Sequence, residues 1–168
     1  IEYFGHENIR LLVLSGDAPA TVAAIAADAG MTGTKPVDGR RLPDEDAELL
    51  QLLDSTASVG RIEPEGKRRI VETLRGSGRY VGMVGDGVND VPALKAAHIG
   101  VAMGRRGTDA ASEAADMVLT DDDYSTIVRA IRQGRAIHEN IVRFAHFLFA
   151  GNAGEVLAFA LAVLLGLG

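Results

Sequence analysis

The chain alternates short apolar segments with segments of helical character, and this alternation restricts the fold more than any other feature. The strand candidates are Arg10–Ser15, Ser58–Ile62, Tyr80–Val84, Ile99–Ala102 and Met117–Leu119. The helix candidates are Pro19–Ala29, Pro43–Leu53, Pro64–Leu74, Val91–Ala97 and Thr108–Ala114. Alternating strands and helices with short connections predict a parallel, three-layer α/β sheet. Residues 30–42, which are rich in Gly, Thr and Pro, are predicted to form a loop.

Length and composition exclude several classes of protein. The 168 residues allow one domain with a full core. The net charge of −6 argues against a nucleic-acid partner, as does the lack of a basic patch with interleaved aromatic residues. Cysteine is absent, so the sequence holds no disulfide framework, no thiolate metal site and no cysteine nucleophile.

The run Gly-Asp-Gly-Val-Asn-Asp at residues 85–90 follows an apolar strand candidate and precedes a helix candidate. The carboxylates of Asp86 and Asp90 and the amide of Asn89 are therefore predicted at the carboxyl end of a strand, where open α/β sheets bind ligands. A small number of oxygen ligands suits Mg²⁺ beside a phosphate. Asp-Gly and Asn-Asp also form ordinary turns, so a purely structural turn is an equal alternative for this run alone.

Two other segments carry groups that can bind a phosphate. Ser15, Gly16 and Asp17 end an apolar strand candidate, and the Ser15 hydroxyl and the Gly16 N–H can donate to phosphate oxygens. Lys67 lies near the start of a helix candidate and can bring a point charge to a phosphoryl group. Taken singly, each segment has a simpler explanation, namely a common strand-to-helix turn and a solvated helix lysine.

In this order, Ser15, Lys67 and the pair Asp86 and Asp90 resemble the motifs of the haloacid dehalogenase-like phosphoryl-transfer superfamily. The stretch 83–128 contains GDGVND, IGVAMG, GTD and EAADMVLTDD, and it resembles the phosphorylation domain of a P-type cation-transporting ATPase. Ser15 stands where that family usually has threonine, which keeps the hydroxyl. The resemblance implies part of a Rossmann-like, haloacid dehalogenase-like sheet.

The resemblance also implies a role for each site residue. Asp86 would bind Mg²⁺, and Asp90 would support that site. The groups that would hold the phosphoryl oxygens are those of Ser15, Gly16, Lys67 and Asn89. Asp17 would orient the motif rather than contact the phosphoryl group. The parent enzyme would use ATP and Mg²⁺ and form an aspartyl phosphate.

The carboxyl-terminal segment differs in character from the rest. Between Phe147 and Gly168 the only charged residue is Glu155 and the only amide is Asn152. At about 1.5 Å per residue this segment spans roughly 33 Å, enough for a bilayer core. The preceding segment is basic, which fits a cytoplasmic side, and contains Arg129, Arg132, Arg135 and Arg143. The alternative is a buried core helix of a soluble protein.

A carboxylate inside an apolar span is costly, so Glu155 is a candidate functional residue. The run 152–156 resembles the ion-binding part of the fifth transmembrane helix of calcium-type P-type ATPases. The resemblance implies that Asn152 and Glu155 are ligands of the transported cation, with Ca²⁺ favoured. We expect a cytoplasmic, partial phosphorylation domain at residues 1–143 and the start of a membrane segment at 144–168.

The sequence has no Asp-Lys-Thr-Gly-Thr motif, in which the family carries its phosphorylated aspartate. We therefore expect a fragment of a cation pump that is inactive by itself and works with the remainder of the pump in a lipid membrane. A soluble phosphatase of the same superfamily and a non-catalytic truncated module are the alternatives. Thr108 is predicted to cap a helix, and Asp121–Asp123 to form the acidic start of a helix near Tyr124.

Overall fold

Strands and helices alternate through residues 1–33 and 35–166, which the computed structural model describes. The strands are β1 (Val13–Leu14), β2 (Val37–Asp38), β3 (Ser58–Gly60), β4 (Gly82–Gly85), β5 (Ile99–Met103) and β6 (Met117–Leu119). The helices are α1 (Glu2–His6), α2 (Pro19–Asp28), α3 (Asp46–Ser55), α4 (Pro64–Gly76), α5 (Val91–Ala96), α6 (Asp109–Ala114) and α7 (Tyr124–Leu164). Each strand or helix expected from the sequence overlaps one of these elements.

The prediction of a loop over residues 30–42 is wrong for its second half. Strand β2 and a 3₁₀ turn at Gly39–Arg41 occupy that part. The Asp38 carboxylate accepts the backbone N–H of Arg40 at 3.1 Å and pairs with its guanidinium at 2.8 Å. These bonds from Arg40 hold the pKa of Asp38 well below its usual range. A two-residue strand has no alternating pattern that sequence analysis can detect.

The strands form two parallel three-stranded sheets, with the orders β1-β3-β2 and β4-β5-β6. In the first sheet Val13 pairs with Ser58, and in the second Val84 pairs with Val101. The expected parallel α/β architecture is therefore confirmed. Within the described residues, β1 and β4 are outer strands of their sheets.

Helix α4 contributes to two hydrophobic clusters, one beside each sheet. The first cluster contains Leu49, Leu53, Val59, Ile62 and Ile70. The second contains Val71, Met83, Ala93, Leu94, Ala102 and Ala111. Ile70 and Val71 are consecutive residues of α4, so one turn of this helix packs into both clusters. Because α4 is shared, the position of one sheet is tied to that of the other.

Residues 125–168 form a unit separate from residues 1–124, and the described part of this unit consists mainly of α7. This 41-residue helix is long and apolar enough to cross a membrane, judged by length and composition. The expected helix start near Tyr124 is confirmed. The proposed boundary between residues 143 and 144 falls inside α7 and stays a prediction. The last two residues of the proposed membrane segment, 167 and 168, lie outside the described residues.

Replacing Ile70 with Ala should destabilise the domain strongly, because its side chain on α4 is fully buried against α3 and β3. We expect the free energy of unfolding to fall by about 2–5 kcal/mol, as for other buried Ile-to-Ala changes. Ile25→Ala is the control, because Ile25 is 60% exposed on α2. It should cost about 0.5 kcal/mol or less. Equal losses in urea denaturation would show that α4 is not central to the core.

Candidate active site

The carboxyl ends of β1 and β4 contribute to one cleft with a volume of about 270 Å³. Five residues singled out in the sequence line it, namely Ser15, Gly16, Lys67, Asp86 and Asp90. The remaining lining residues are Leu14, Met83, Val84, Gly85, Met103 and Tyr124. The two outer strands and the start of α4 thus bring together groups that are far apart in the sequence.

Lys67 and Asp90 form an ion pair at the side of this cleft. Lys67 Nζ lies 2.7 Å from Asp90 Oδ1, and the two side chains are only 13% and 9% exposed. The other oxygen, Oδ2, accepts the backbone N–H groups of Asp86 at 3.2 Å and Gly87 at 3.3 Å. Both oxygens of Asp90 are therefore engaged inside the protein. Asp90 shapes the turn that carries Asp86.

Gly85 permits Asp90 to approach the end of β4. A Cβ atom at Gly85 would lie 2.4 Å from Asp90 Cβ and 2.8 Å from Asp90 Cγ. Real Cβ atoms do not tolerate such distances, so a side chain at residue 85 would displace the Asp90 carboxylate. The sequence shows a glycine directly before Asp86, but it does not show the contact with Asp90 that makes this glycine necessary.

Asp86 presents its carboxylate differently from Asp90. Throughout residues 1–33 and 35–166, no hydrogen bond or ion pair engages this carboxylate, and the residue is exposed at the cleft. The same described residues gather no group of three or more His, Cys, Asp or Glu that could hold a metal ion. A single available carboxylate suits Mg²⁺, which keeps several waters and shares its remaining positions with phosphate oxygens. The cleft residues therefore fit Mg²⁺ bound together with a phosphate.

Ser15 and Asp17 form a small hydrogen-bonded turn after β1. The Ser15 hydroxyl donates to Asp17 Oδ2 at 3.1 Å, and the Asp17 N–H donates back to Ser15 Oγ at 3.2 Å. The Ser15 N–H donates to the carbonyl of Val59 at 3.0 Å, which fixes the turn to β3. Asp17 thus sets the direction of the Ser15 hydroxyl and does not itself line the cleft.

A sequence model of the haloacid dehalogenase-like hydrolase family matches residues 5–98. That segment contains β1, α4, β4 and all five cleft residues named above. The chain belongs to the haloacid dehalogenase-like hydrolase family.

Within this family the relatives are P-type ATPases, as the sequence motifs predicted. The chain is 45% identical over 162 residues to "Calcium-transporting ATPase 1" of Bacillus cereus, which covers 95% of this chain and 18% of that protein. It is 41% identical over 180 residues to "P-type sodium-transporting ATPase4" of Toxoplasma gondii, covering 97% and 13%. A crystal structure of a zinc-transporting PIB-type ATPase in the E2.Pi state superposes with a TM-score of 0.66 at 34% identity, covering 85% of this chain and 19% of that one. The chain therefore spans less than a fifth of the length of these relatives.

The structure does not bring every predicted site residue to the cleft. Asn89 lies in the 3₁₀ turn Val88–Asp90, is exposed and is not among the lining residues. Asn152 and Glu155 lie in α7 in the separate carboxyl-terminal unit, so their proposed role stays a prediction. Thr108 caps α6 as predicted, because its hydroxyl accepts the Ala111 N–H at 3.3 Å.

Gly85→Ala should damage both stability and the site. The added methyl group must displace Asp90, and overpacking of this kind costs about 1–3 kcal/mol. Gly87→Ala is the matched control in the same turn, because its Cβ would meet nothing closer than 3.9 Å and its φ is negative. We expect Gly87→Ala to change the free energy of unfolding by about 1 kcal/mol or less. Similar effects of both substitutions in chemical denaturation would contradict this account of Gly85.

Proposed function

We propose that this chain forms part of the phosphorylation domain of an ATP-driven cation pump that passes through an aspartyl phosphate. The observation that carries the proposal is the cleft in which Ser15, Gly16, Lys67 and Asp86 meet at the carboxyl ends of two parallel strands. In phosphoryl transfer the protein contributes mainly the positioning of the reacting groups and the neutralisation of charge. The residues of this cleft can supply both.

Each cleft group has a distinct proposed task. Asp86 would hold Mg²⁺, which would neutralise charge on the phosphoryl oxygens. Lys67 would add a fixed positive charge, since its ammonium has three N–H donors and Asp90 accepts only one at 2.7 Å. The Ser15 hydroxyl has one proton, so it would turn from Asp17 to a phosphoryl oxygen when substrate binds. Asn89 does not line the cleft, so its contact with a phosphoryl oxygen stays a prediction from the sequence.

The proposal requires a nucleophilic aspartate that this sequence does not contain in the family motif. Strands β1 and β4 are outer strands in the described sheets, and both contribute to the cleft. An unpaired strand edge is suited to pair with a further strand. A strand that pairs with β1 and β4 and ends in an aspartate would deliver the nucleophile into the cleft.

The test is phosphoenzyme formation by a full-length pump that contains this sequence. We expect Asp86→Asn to lower acid-stable labelling from γ-phosphate-labelled ATP by at least about 100-fold, since the neutral amide cannot replace the charged Mg²⁺ ligand. Asp28→Asn is the control, because it makes the same chemical change at an exposed residue at the end of α2.

Two results would reject the proposal. Equal labelling of the Asp86 and Asp28 variants would remove Asp86 from the reaction. Hydrolysis of phosphate esters with Mg²⁺ by the 168-residue chain alone would instead favour a soluble phosphatase of the same family.

We propose in addition that Asn152 and Glu155 bind the transported cation. They are three residues apart in the continuous helix α7, so they share one face of it. Glu155 is the one charged residue of the sequence after Phe147, where an ionised side chain needs partners or water. The names of the relatives include calcium, sodium and zinc transporters. Oxygen ligands suit Ca²⁺ or another hard cation. The basic segment before Phe147 favours a cytoplasmic sheet domain.

Glu155→Gln should weaken activation by the transported cation while leaving the phosphorylation domain folded. We expect the cation concentration for half-maximal phosphorylation to rise about tenfold or more, because the neutral amide loses one ligand charge. Glu139→Gln is the matched control in the same helix, where Glu139 forms an exposed ion pair with Arg143 at 3.4 Å. An unchanged cation requirement in the Glu155 variant would remove this residue from the transport site.

A further inference from the structure

The loop between β5 and α6 binds the backbone carbonyl of Asp86, whereas Asp90 binds the backbone N–H of the same residue. The Thr108 N–H donates to the backbone carbonyl of Asp86 at 2.8 Å. Beside it, a Cβ at Gly107 would lie 1.9 Å from the carbonyl oxygen of Met103 and 3.5 Å from that of Asp86. The loop therefore runs directly against the end of β5, and its path leaves no room for a side chain at residue 107.

Asp122 fixes this loop. Its Oδ1 accepts the backbone N–H of Arg105 at 3.0 Å, and its Oδ2 accepts the backbone N–H of Arg106 at 2.7 Å and the Arg106 Nε–H at 3.3 Å. The side chain is only 8% exposed. The sequence predicts Asp122 as part of the acidic start of α7, but in the structure its carboxylate accepts hydrogen bonds from the loop between β5 and α6.

Two further features distinguish Asp122, namely its backbone conformation and the pKa of its carboxyl group. Its backbone has a φ of +55°, a left-handed conformation that is uncommon for residues other than Gly, Asn and Asp. The N–H groups of the loop, that of Arg105 first, hold the pKa of Asp122 below its usual range. The carboxylate is therefore ionised and accepts charge-assisted hydrogen bonds.

We propose that Asp122 is a positioning residue for Asp86. Its carboxylate holds the amides of Arg105 and Arg106, and this sets the place of the Thr108 N–H that holds the Asp86 carbonyl. The Asp86 N–H is held on its other side by Asp90 Oδ2 at 3.2 Å. Asp90 thus holds the N–H of Asp86 directly, and Asp122 holds the carbonyl of Asp86 indirectly, through the loop. The inference rests on the proposed role of Asp86 as the Mg²⁺ ligand.

Two substitutions separate the carboxylate of Asp122 from its backbone conformation. Asp122→Gly removes the acceptor and keeps the freedom to adopt a positive φ. Asp122→Asn keeps one acceptor oxygen and also tolerates this φ. Asp28→Asn is the matched control, since it makes the same charge change at an exposed residue at the end of α2, outside this loop. Asp38→Asn is a second control, because the Asp38 carboxylate also binds an arginine and has a lowered pKa but holds Arg40 instead of this loop.

The first measurement is hydrogen–deuterium exchange of the full-length pump without Mg²⁺. Exchange at residues 105–108 should become at least about tenfold faster in Asp122→Gly and less so in Asp122→Asn, because the amides lose their acceptor. Both controls should leave these residues unchanged, and unchanged exchange at β3 reports that the Asp122 variants are folded. Equal protection of residues 105–108 in wild type and Asp122→Gly would overturn the proposal.

The second measurement is the Mg²⁺ dependence of phosphorylation in the same proteins. The Mg²⁺ concentration for half-maximal phosphorylation should rise roughly tenfold or more in Asp122→Gly, the usual effect of losing a group that orients a metal ligand. Asp122→Asn should recover part of this loss. Faster loop exchange with an unchanged Mg²⁺ requirement would also overturn the proposal. If the wild-type pump forms no phosphoenzyme with Mg²⁺, the proposed function is rejected. The exchange measurement needs no Mg²⁺ and no phosphorylation, so it tests separately whether Asp122 holds the loop.

Discussion

The ion pair between Lys67 and Asp90 is the interaction on which the rest of the site depends. Lys67 lies on α4, the helix that packs into both hydrophobic clusters. Asp90 accepts hydrogen bonds from the backbone N–H groups of the turn after β4. Removing one partner of a well-buried pair typically costs about 3–5 kcal/mol, because the other charge is left without compensation. The place of Asp86 is therefore coupled through Asp90 and Lys67 to the core of the domain.

The acidic residues of this region divide into those whose carboxylates bind other parts of the protein and one whose carboxylate is exposed. Asp90 and Asp122 accept hydrogen bonds from backbone N–H groups and cationic side chains of the protein, whereas no group of the described residues engages the Asp86 carboxylate. Gly85 and Gly107 make this division possible, since a Cβ at either position would collide with Asp90 or with the end of β5. Rigid support for one exposed carboxylate is what a preorganised metal ligand requires.

The sequence predicts features that depend on local pattern and misses those that depend on tertiary contact. An apolar run predicts strand β6, cap chemistry predicts the N-cap of Thr108, and motif order predicts the clustering of Ser15, Lys67 and Asp86. Strand β2 is not evident in the sequence, because two residues that pair with β3 carry no periodic signal. The sequence associates Asp122 with the nearest helix, although its hydrogen bonds reach sixteen and seventeen residues back along the chain. Neighbouring residues in a sequence do not reveal such a distant partner.

The balance of charge in the cleft explains why its proposed chemistry needs a metal ion. Among the lining residues, Lys67 carries one positive charge, and Asp86 and Asp90 carry two negative charges. A cleft with this negative excess does not attract a phosphate, and the ammonium of Lys67 is already compensated by Asp90 at 2.7 Å. A divalent cation at Asp86 reverses the excess and leaves the remaining N–H donors of Lys67 available to phosphoryl oxygens. Binding of phosphate and of Mg²⁺ should therefore be mutually dependent in this cleft, because neither charge is balanced without the other.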